Sequence, residues 1–237
     1  MKIPLLHRLV VPLAALAVFH GIPRADASTI FWESNFNDLL FDASEQPLDG
    51  GFTFEAGIFA GGFVPTSENL NDWAANWQVF ATASESDGSW DPGVQSFSKT
   101  IDHNPDGTSS DAPVPTDIFT QGEVVYFWVY NTKNREAGTE WALVADGTNV
   151  GDNGDNWIIP DPADPIGTVS YVWLLDDANT AIYGNLDGTF GGGQGYTLQT
   201  SLVPVPEPGS VLLLGVAMLG GLVRRRRGRA CSLNLAH

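Results

Sequence analysis

The side chains that could do covalent chemistry are few in this sequence. The region between residues 28 and 203 contains one histidine, His103, and the chain's one cysteine, Cys231, lies near the C-terminus. A nucleophilic triad needs a base, usually histidine, beside the nucleophile, and the common zinc sites need several cysteine or histidine ligands. Thiol catalysis and such a zinc site are therefore excluded for this region, and we interpret His103, in a predicted loop, as a bystander.

The loop around that histidine has the spacing of half a calcium site. Residues 102–107, DHNPDG, match the first half of a calcium-binding loop, in which alternate oxygens converge and glycine permits the sharp turn. Asp102, Asn104 and Asp106 would supply side-chain oxygens. The twelfth position, which should carry a bidentate carboxylate, is Pro113. Two interpretations stay open: a calcium site formed by these three side chains, and an ordinary hydrogen-bonded turn between strands.

Two abundant residue types could cleave or bind a polysaccharide. The 28 acidic residues offer many carboxylate pairs of the kind that glycosidases use, but no spacing selects a pair, and we interpret them as solvated surface charge. The eight tryptophans could stack on sugar rings. Trp128, Trp141 and Trp173 lie in apolar segments and are expected in the core. Trp90, in the turn-rich SDGSWDPG, is expected to be exposed and is the candidate carbohydrate-binding residue.

The segments that must position these residues have the pattern of β-strands. Residues 123–131, EVVYFWVYN, are a nearly unbroken β-branched and aromatic run, which predicts a central strand covered on both faces; residues 167–175 repeat this pattern. Clusters of Gly, Pro, Asn and Asp separate them from shorter runs of the same chemistry. These shorter runs are residues 52–59, 77–83, 94–101, 140–145, 157–159 and 196–203. One short helix is predicted, over residues 68–75.

About eight to eleven short strands separated by turns predict an all-β fold. We expect an antiparallel β-sandwich, with a jelly roll or a partly open barrel as the alternative. Residues 28–203 are enough for one domain with a sizeable core and marginal for two. Since this region has no cysteine, the core must stabilise it without a disulfide.

The first 27 residues have the layout of a secretory signal peptide. Lys2 and Arg8 give a charged start, the apolar run 9–19 follows, and Ala25 and Ala27 form a small-x-small ending. We therefore expect export through the Sec machinery and cleavage after Ala27.

Residues 204–237 combine three features. Pro206, Glu207 and Pro208 form a rigid, extended segment, because each proline fixes its own φ and disfavours a helical residue before it. The uncharged run 210–223 follows, which predicts a transmembrane helix of about 21 Å that snorkelling side chains extend towards the roughly 30 Å hydrocarbon core. An arginine cluster ends it and is expected on the cytoplasmic side, with the Pro-Glu-Pro segment outside. The arginines are Arg224, Arg225, Arg226, Arg227 and Arg229.

This order of features resembles the PEP-CTERM sorting domain of Gram-negative, exopolysaccharide-making bacteria, over about 25 residues. The resemblance implies that exosortase, an integral-membrane cysteine protease-transpeptidase, recognises and cuts at Pro206, Glu207 and Pro208. It also implies a transient inner-membrane anchor with the ectodomain in the periplasm, followed by the cell surface or extracellular matrix. Phrases such as residues 54–59 and 71–77 loosely resemble other PEP-CTERM ectodomains, for which the resemblance implies no activity. A plain single-pass anchor with a proline-rich stalk is the alternative.

The net charge of the exported region limits the partners that it can bind. Only three basic residues, Lys99, Lys133 and Arg135, lie between residues 28 and 207, against 27 acidic residues, a net charge of about −24. The electrostatic field of such a charge argues against nucleic acid and anionic lipid surfaces as partners of the exported region, and it suits cations or a hydrated extracellular setting.

Together these features predict an exported, non-enzymatic cell-surface or extracellular-matrix protein. A polysaccharide-binding module of the exopolysaccharide matrix is the alternative, and a glycan hydrolase is less favoured, since sandwiches host all three functions. No cofactor is expected, with calcium as the one candidate.

Overall fold

The computed structural model describes residues 27–147, 157–162, 171–189 and 195–205. They contain thirteen strands, one α-helix (α1, Trp73–Asn76) and three single turns of 3-10 helix. The 3-10 turns are Ala60–Gly62, Glu85–Asp87 and Leu175–Asp177. The strands are β1 (Ser28–Glu33), β2 (Leu40–Phe41), β3 (Thr53–Phe59), β4 (Trp77–Ser84), β5 (Trp90–Asp91), β6 (Ser96–His103), β7 (Tyr126–Tyr130), β8 (Glu140–Ala145), β9 (Tyr171–Leu174), β10 (Thr180–Tyr183), β11 (Asn185–Thr189), β12 (Gly195–Gln199) and β13 (Ser201–Leu202).

Two sheets pack against each other around one core. The first has the strand order β5-β6-β1-β9, and the second has the order β10-β8-β7-β3-β4, with β13 paired to β8. The core takes Trp32 from the first sheet and Phe127 from the second, with their ring centroids 5.6 Å apart. A third sheet, β11-β12-β2, adds Leu40 and Leu198 to the same core. The predicted all-β sandwich is confirmed.

Two strand pairs depart from a purely antiparallel sandwich. β1 pairs in parallel with β9, and β2 pairs in parallel with β12. A parallel pair cannot be closed by a tight hairpin and needs a long crossover. Both pairs accordingly join strands from opposite ends of the domain, which ties the residues next to the predicted signal peptide to the C-terminal third.

The second sheet is covered on both faces. On the side away from the first sheet lies a second aromatic cluster, to which β3, β4, β7, β8 and the α1 segment all contribute. Its tryptophan rings contact one another at 5.1 to 5.8 Å between centroids. They are Trp73, Trp77, Trp128 and Trp141. The double coverage explains why β7 and β8 are continuous apolar runs rather than alternating ones.

One carboxylate is buried in this aromatic layer. Glu55 is 5% exposed, and it accepts hydrogen bonds from Trp77 Nε1 and Tyr130 Oη, each at 2.7 Å. Lys133 completes the site with an ion pair at 2.6 Å and lies over the rings of Trp128 and Tyr130. Burial and the Glu55 charge raise the pKa of Tyr130, so its hydroxyl stays a neutral donor. A carboxylate partnered in this way has a structural role.

A β-bulge lets β4 serve both layers. The register with β3 slips between Ala56 and Gly57, leaving Phe80 as an extra residue. Trp77 and Val79, before the slip, belong to the outer aromatic cluster, whereas Phe80, Ala81 and Ala83 lie in the inner core. The extra residue therefore reverses the inward and outward alternation midway along the strand.

The predicted strands agree with the structure where the chain is apolar. Residues 52–59, 77–83, 94–101 and 140–145 become β3, β4, β6 and β8, and residues 196–203 become β12 and β13. The prediction that residues 123–131 contain a central strand is confirmed, since β7 lies between β3 and β8.

Two other strand predictions agree only in part. Residues 171–174 of the predicted strand over 167–175 form β9, but Val172 is 37% exposed, so this strand is not covered on both faces. Residues 157–159 form an isolated bridge to Val124 instead of a strand. The helix predicted over residues 68–75 is one turn, Trp73–Asn76, because only Trp73 of that turn is buried and a four-residue helix has little packing to extend it.

Gly57 gives a test of the close strand packing beneath the outer cluster. A Cβ there would lie 2.3 Å from the Gln78 backbone oxygen and 2.7 Å from the Trp77 ring. Gly57→Ala is therefore expected to lower the unfolding free energy of the mature domain, residues 28–203, by about 2 kcal/mol in urea. The added methyl group overpacks the site, and the backbone must shift to accommodate it. Gly93→Ala, where a Cβ would meet only the Asp91 carboxylate at 3.1 Å, is the control and is expected to change little. Equal stability of the two variants would contradict this packing.

Candidate functional site

The C-terminal end of the folded domain is held by β8. β13 pairs antiparallel with the first two residues of β8. Val203, the next residue, is 4% exposed and lies in the outer aromatic cluster, and its N–H donates to the Thr139 carbonyl at 2.8 Å. The fold therefore fixes the chain as far as the residue that precedes Pro204.

Two side chains hold this terminal segment from outside the sheet. The Arg135 guanidinium donates to the carbonyl of Pro204 and to the side-chain oxygen of Asn71. The Tyr183 hydroxyl donates to the Leu202 carbonyl at 2.5 Å. Arg135 thus joins the loop after β7, the loop before α1 and the C-terminal segment. We call Arg135, Tyr183 and their contacts to Leu202 and Pro204 the terminal clamp. No sequence pattern predicted it, because its members are far apart in the chain.

The terminal features predicted from the sequence lie largely outside the described residues. These are Ala25, the Pro206-Glu207-Pro208 segment, the helix over residues 210–223 and the arginine cluster. Ala27 is described, and β1 begins directly after it at Ser28, whose hydroxyl donates to the Asp161 carbonyl at 2.6 Å. Cleavage after Ala27 and cutting at the Pro-Glu-Pro segment stay predictions.

The half calcium loop is a hydrogen-bonded turn. Asp102 lies on β6 and accepts from the Thr29 hydroxyl at 2.9 Å, while Asp106 accepts from the Thr108 hydroxyl and N–H at 2.7 and 3.0 Å. The side-chain amide of Asn104 donates to the same Thr108 hydroxyl, and Gly107 takes the positive φ that the turn needs. Among the described residues, no group of three or more His, Cys, Asp or Glu side chains could hold a metal ion. Calcium binding by Asp102, Asn104 and Asp106 stays one of the two interpretations.

His103 is a buried strand residue rather than a loop residue. It ends β6, has no exposed surface, and both ring nitrogens face backbone carbonyls, Nδ1 that of Pro160 at 3.1 Å and Nε2 that of Phe119 at 3.2 Å. The expectation of a loop position is therefore wrong. With no exposed surface, the ring lies out of reach of a substrate.

All eight tryptophans lie within the described residues, and all eight are buried. The prediction that Trp90 is exposed is wrong: it is 1% exposed, it pairs with β6 as part of β5, and its Nε1 donates to the Asp49 carbonyl at 3.2 Å. Its ring lies 4.7 Å from that of Phe54. The turn-rich surroundings misled the prediction because a single large aromatic between turns can still cover the end of a sandwich.

A polar cleft of about 480 Å³ lies beside β8. Four carboxylates line it, and three of them accept hydrogen bonds that shape the adjoining turns. These three are Asp42, Asp49 and Glu140. The fourth, Glu136, is exposed in the loop before β8. This geometry gives three of the four carboxylates structural partners.

Asp38 and Asp176 form a carboxyl pair between the first and third sheets. Asp38 is 4% exposed and accepts from the Asn35 N–H at 2.9 Å and from the Thr197 hydroxyl at 3.2 Å. Burial, reinforced by the hydrogen bond and the charge of Asp176, raises the pKa of Asp38 from 3.8 to about 7. The two residues are far apart in the chain, so no local pattern could have found the pair.

The three basic residues of the domain are all engaged by the fold. Lys99 pairs with Asp87 at 3.2 Å and with Asp111 at 2.8 Å. Lys133 pairs with the buried Glu55, and Arg135 belongs to the terminal clamp. All three basic side chains thus make contacts within the domain, and the excess negative charge lies at the surface.

Comparison with known proteins identifies the C-terminal segment. Residues 204–227 match the family model of the PEP-CTERM protein-sorting motif. No curated protein and no solved structure matches the chain significantly. The chain thus carries a PEP-CTERM sorting motif directly after an all-β domain, and its match begins at Pro204, the residue that the terminal clamp holds.

Such a motif implies export and processing by exosortase from a membrane-anchored state. Within the described ranges, no helix is long and apolar enough to cross a bilayer, and the predicted helix over residues 210–223 lies outside them.

Calcium binding can be tested by thermal unfolding. Because the oxygens of Asp102 and Asp106 already accept local hydrogen bonds, we expect the melting temperature of the mature domain to be the same with millimolar calcium and with chelator. A ligand that binds the folded state must raise it. A rise of several degrees that Asp102→Asn removes would contradict this expectation and establish the site.

The Asp38 pair predicts a loss of stability as pH rises. Its pKa is higher in the folded than in the unfolded protein, so its contribution is complete below about pH 4 and is lost as pH rises through about 7. The unfolding free energy should fall by about 2 kcal/mol between pH 5 and pH 8.5. Asp38→Asn should remove most of this fall, whereas Asp72→Asn, which changes an exposed carboxylate, should keep it. A slope unchanged in Asp38→Asn would exclude the pair as its cause.

Proposed function

We propose that this chain is an exported, non-enzymatic protein of the cell surface or extracellular matrix, delivered through its C-terminal sorting motif. The observation that carries the proposal is the PEP-CTERM match at residues 204–227, which follows the folded domain without a gap. In this proposal the motif directs the chain to its destination, and the β-domain acts there.

The side chains of the domain support a role without catalysis. His103 has both nitrogens directed at carbonyls, and the cleft carboxylates Asp42, Asp49 and Glu140 hold turns in place. A catalytic site needs a group within reach of the substrate and free to accept or donate its proton. The described residues favour packing and scaffolding over hydrolysis.

Tryptophan burial favours scaffolding over sugar stacking. Stacking on a polysaccharide needs exposed aromatic faces, and all eight tryptophans are at most 9% exposed. Trp90→Ala, the variant that would have tested sugar binding, is therefore expected to report on folding.

The proposed route has two cuts. The Sec machinery exports the chain and the signal peptide is removed after Ala27, and residues 210–223 then anchor the domain in the inner membrane with the ectodomain in the periplasm. Exosortase cuts at Pro206-Glu207-Pro208 and releases the domain to the surface or matrix. The net charge of about −24 suits a hydrated exterior and keeps such a domain soluble and apart from nucleic acid.

Intact mass and cell fractionation in the native host test this route. We expect a surface or secreted product that begins at Ser28 and ends within the Pro-Glu-Pro segment. A triple variant, Pro206→Ala, Glu207→Ala and Pro208→Ala, should remain in the membrane fraction at the mass of the anchored form.

Ser210→Ala, in the uncharged run just after the motif, is the matched control and should be processed like the wild type. Normal localisation of a product that still carries residues 206–237, in cells that lack exosortase, would refute the sorting proposal.

A further inference from the structure

The folded domain and the sorting motif leave almost no linker between them. The clamp holds Pro204 through its carbonyl, and Val205 is the one residue between it and Pro206. Two extended residues span at most about 7 Å. An enzyme that cuts at Pro206-Glu207-Pro208 must therefore work directly against the surface of a folded domain.

The backbone that precedes the predicted cut already makes hydrogen bonds within the domain. Proteins that bind an extended peptide commonly do so by pairing with its backbone as an added strand. Here that backbone is β13, which pairs with Glu140 and Trp141 of β8, and it continues into Val203, whose N–H is bonded to Thr139. The same N–H and C=O groups cannot pair with β8 and with a processing enzyme at once.

We propose that β13 is released from β8 when the sorting motif is processed, and that the terminal clamp sets how readily this happens. This inference rests on the proposed function. Release of residues 201–204 adds about 14 Å of extended chain in front of the motif, enough to enter a binding cleft. The terminal clamp thereby makes the rate of cleavage depend on how firmly β13 is held against β8.

The structure allows β13 to be released without opening the rest of the sheet. β13 has only two residues, Leu202 is 59% exposed, and Val203 contributes the one buried side chain of the segment. The rest of that edge of β8 pairs with β10 through residues 143–145, which do not contact β13 in the ladder. Short, exposed terminal strands open at lower free energy than the sheet they border.

The test measures the rate of precursor processing by pulse-chase in the native host, using the full chain. Arg135→Ala removes the bond to Pro204, and Tyr183→Phe removes the bond to Leu202 with little change in shape. Each should speed processing roughly threefold to tenfold, the change in open population expected from one lost hydrogen bond. A six-residue Gly-Ser insertion between Val205 and Pro206 should speed wild-type processing similarly and abolish the effect of Arg135→Ala, because it supplies the reach without release.

Lys99→Ala is the matched control, since it removes the ion pairs of a basic residue on β6, in the other sheet. Its processing rate should equal that of the wild type. Equal rates in every variant, or an equal acceleration by Lys99→Ala, would overturn the proposal. Absence of processing in the wild type and in the insertion variant alike would refute the sorting function and this inference with it.

Discussion

The structure depends on the burial of the six-stranded sheet on both faces. No disulfide can stabilise this domain, so aromatic packing must do so. The twelve largest fully buried side chains among the described residues are all tryptophan or phenylalanine. The inner face packs on the first sheet, and the outer face lies under a layer that includes Phe59, Trp73 and Trp141. A carboxylate buried in such a layer needs partners, and Glu55 has them in Trp77, Tyr130 and Lys133. β8 belongs to both layers and therefore connects the core to the C-terminal end.

The basic and acidic side chains of the domain have different places in the structure. The three cations of the domain each make contacts that hold the fold: Lys99 beside Asp111, Lys133 at Glu55, and Arg135 at the C-terminal segment. Isolated exposed ion pairs contribute little, but Lys133 faces a buried carboxylate and Arg135 bridges three segments. The remaining acidic residues give the surface one sign. A net charge of this size favours solubility and disfavours contact with nucleic acid.

The sequence predicted strands well where apolar runs were long and the environment on the two faces was the same. β7 and β8 follow directly from EVVYFWVYN and EWALVA. β1, which lies at the centre of the first sheet, was not predicted, because six residues beside a signal peptide give a weak pattern and its pairing with β9 bridges most of the domain. In β4 the period of two fails at the bulge, so alternation assigns Val79 and Ala81 to one face although they lie in different layers. The error at Trp90 has a related cause, since exposure there depends on which elements cover the end of the sheet.

The sequence by itself determined the sorting signal of this protein and the class of its fold. The order of Pro-Glu-Pro, apolar run and arginine cluster is a local pattern that needs no partner in space, and β-propensity and turn chemistry are likewise local. Only the tertiary structure decided which residues are available for function. It buried every tryptophan, placed the ring of His103 against the Pro160 carbonyl, brought Asp38 to Asp176, and fixed Pro204 against Arg135. These outcomes depend on contacts between residues tens to more than a hundred positions apart, which spacing along the chain does not encode.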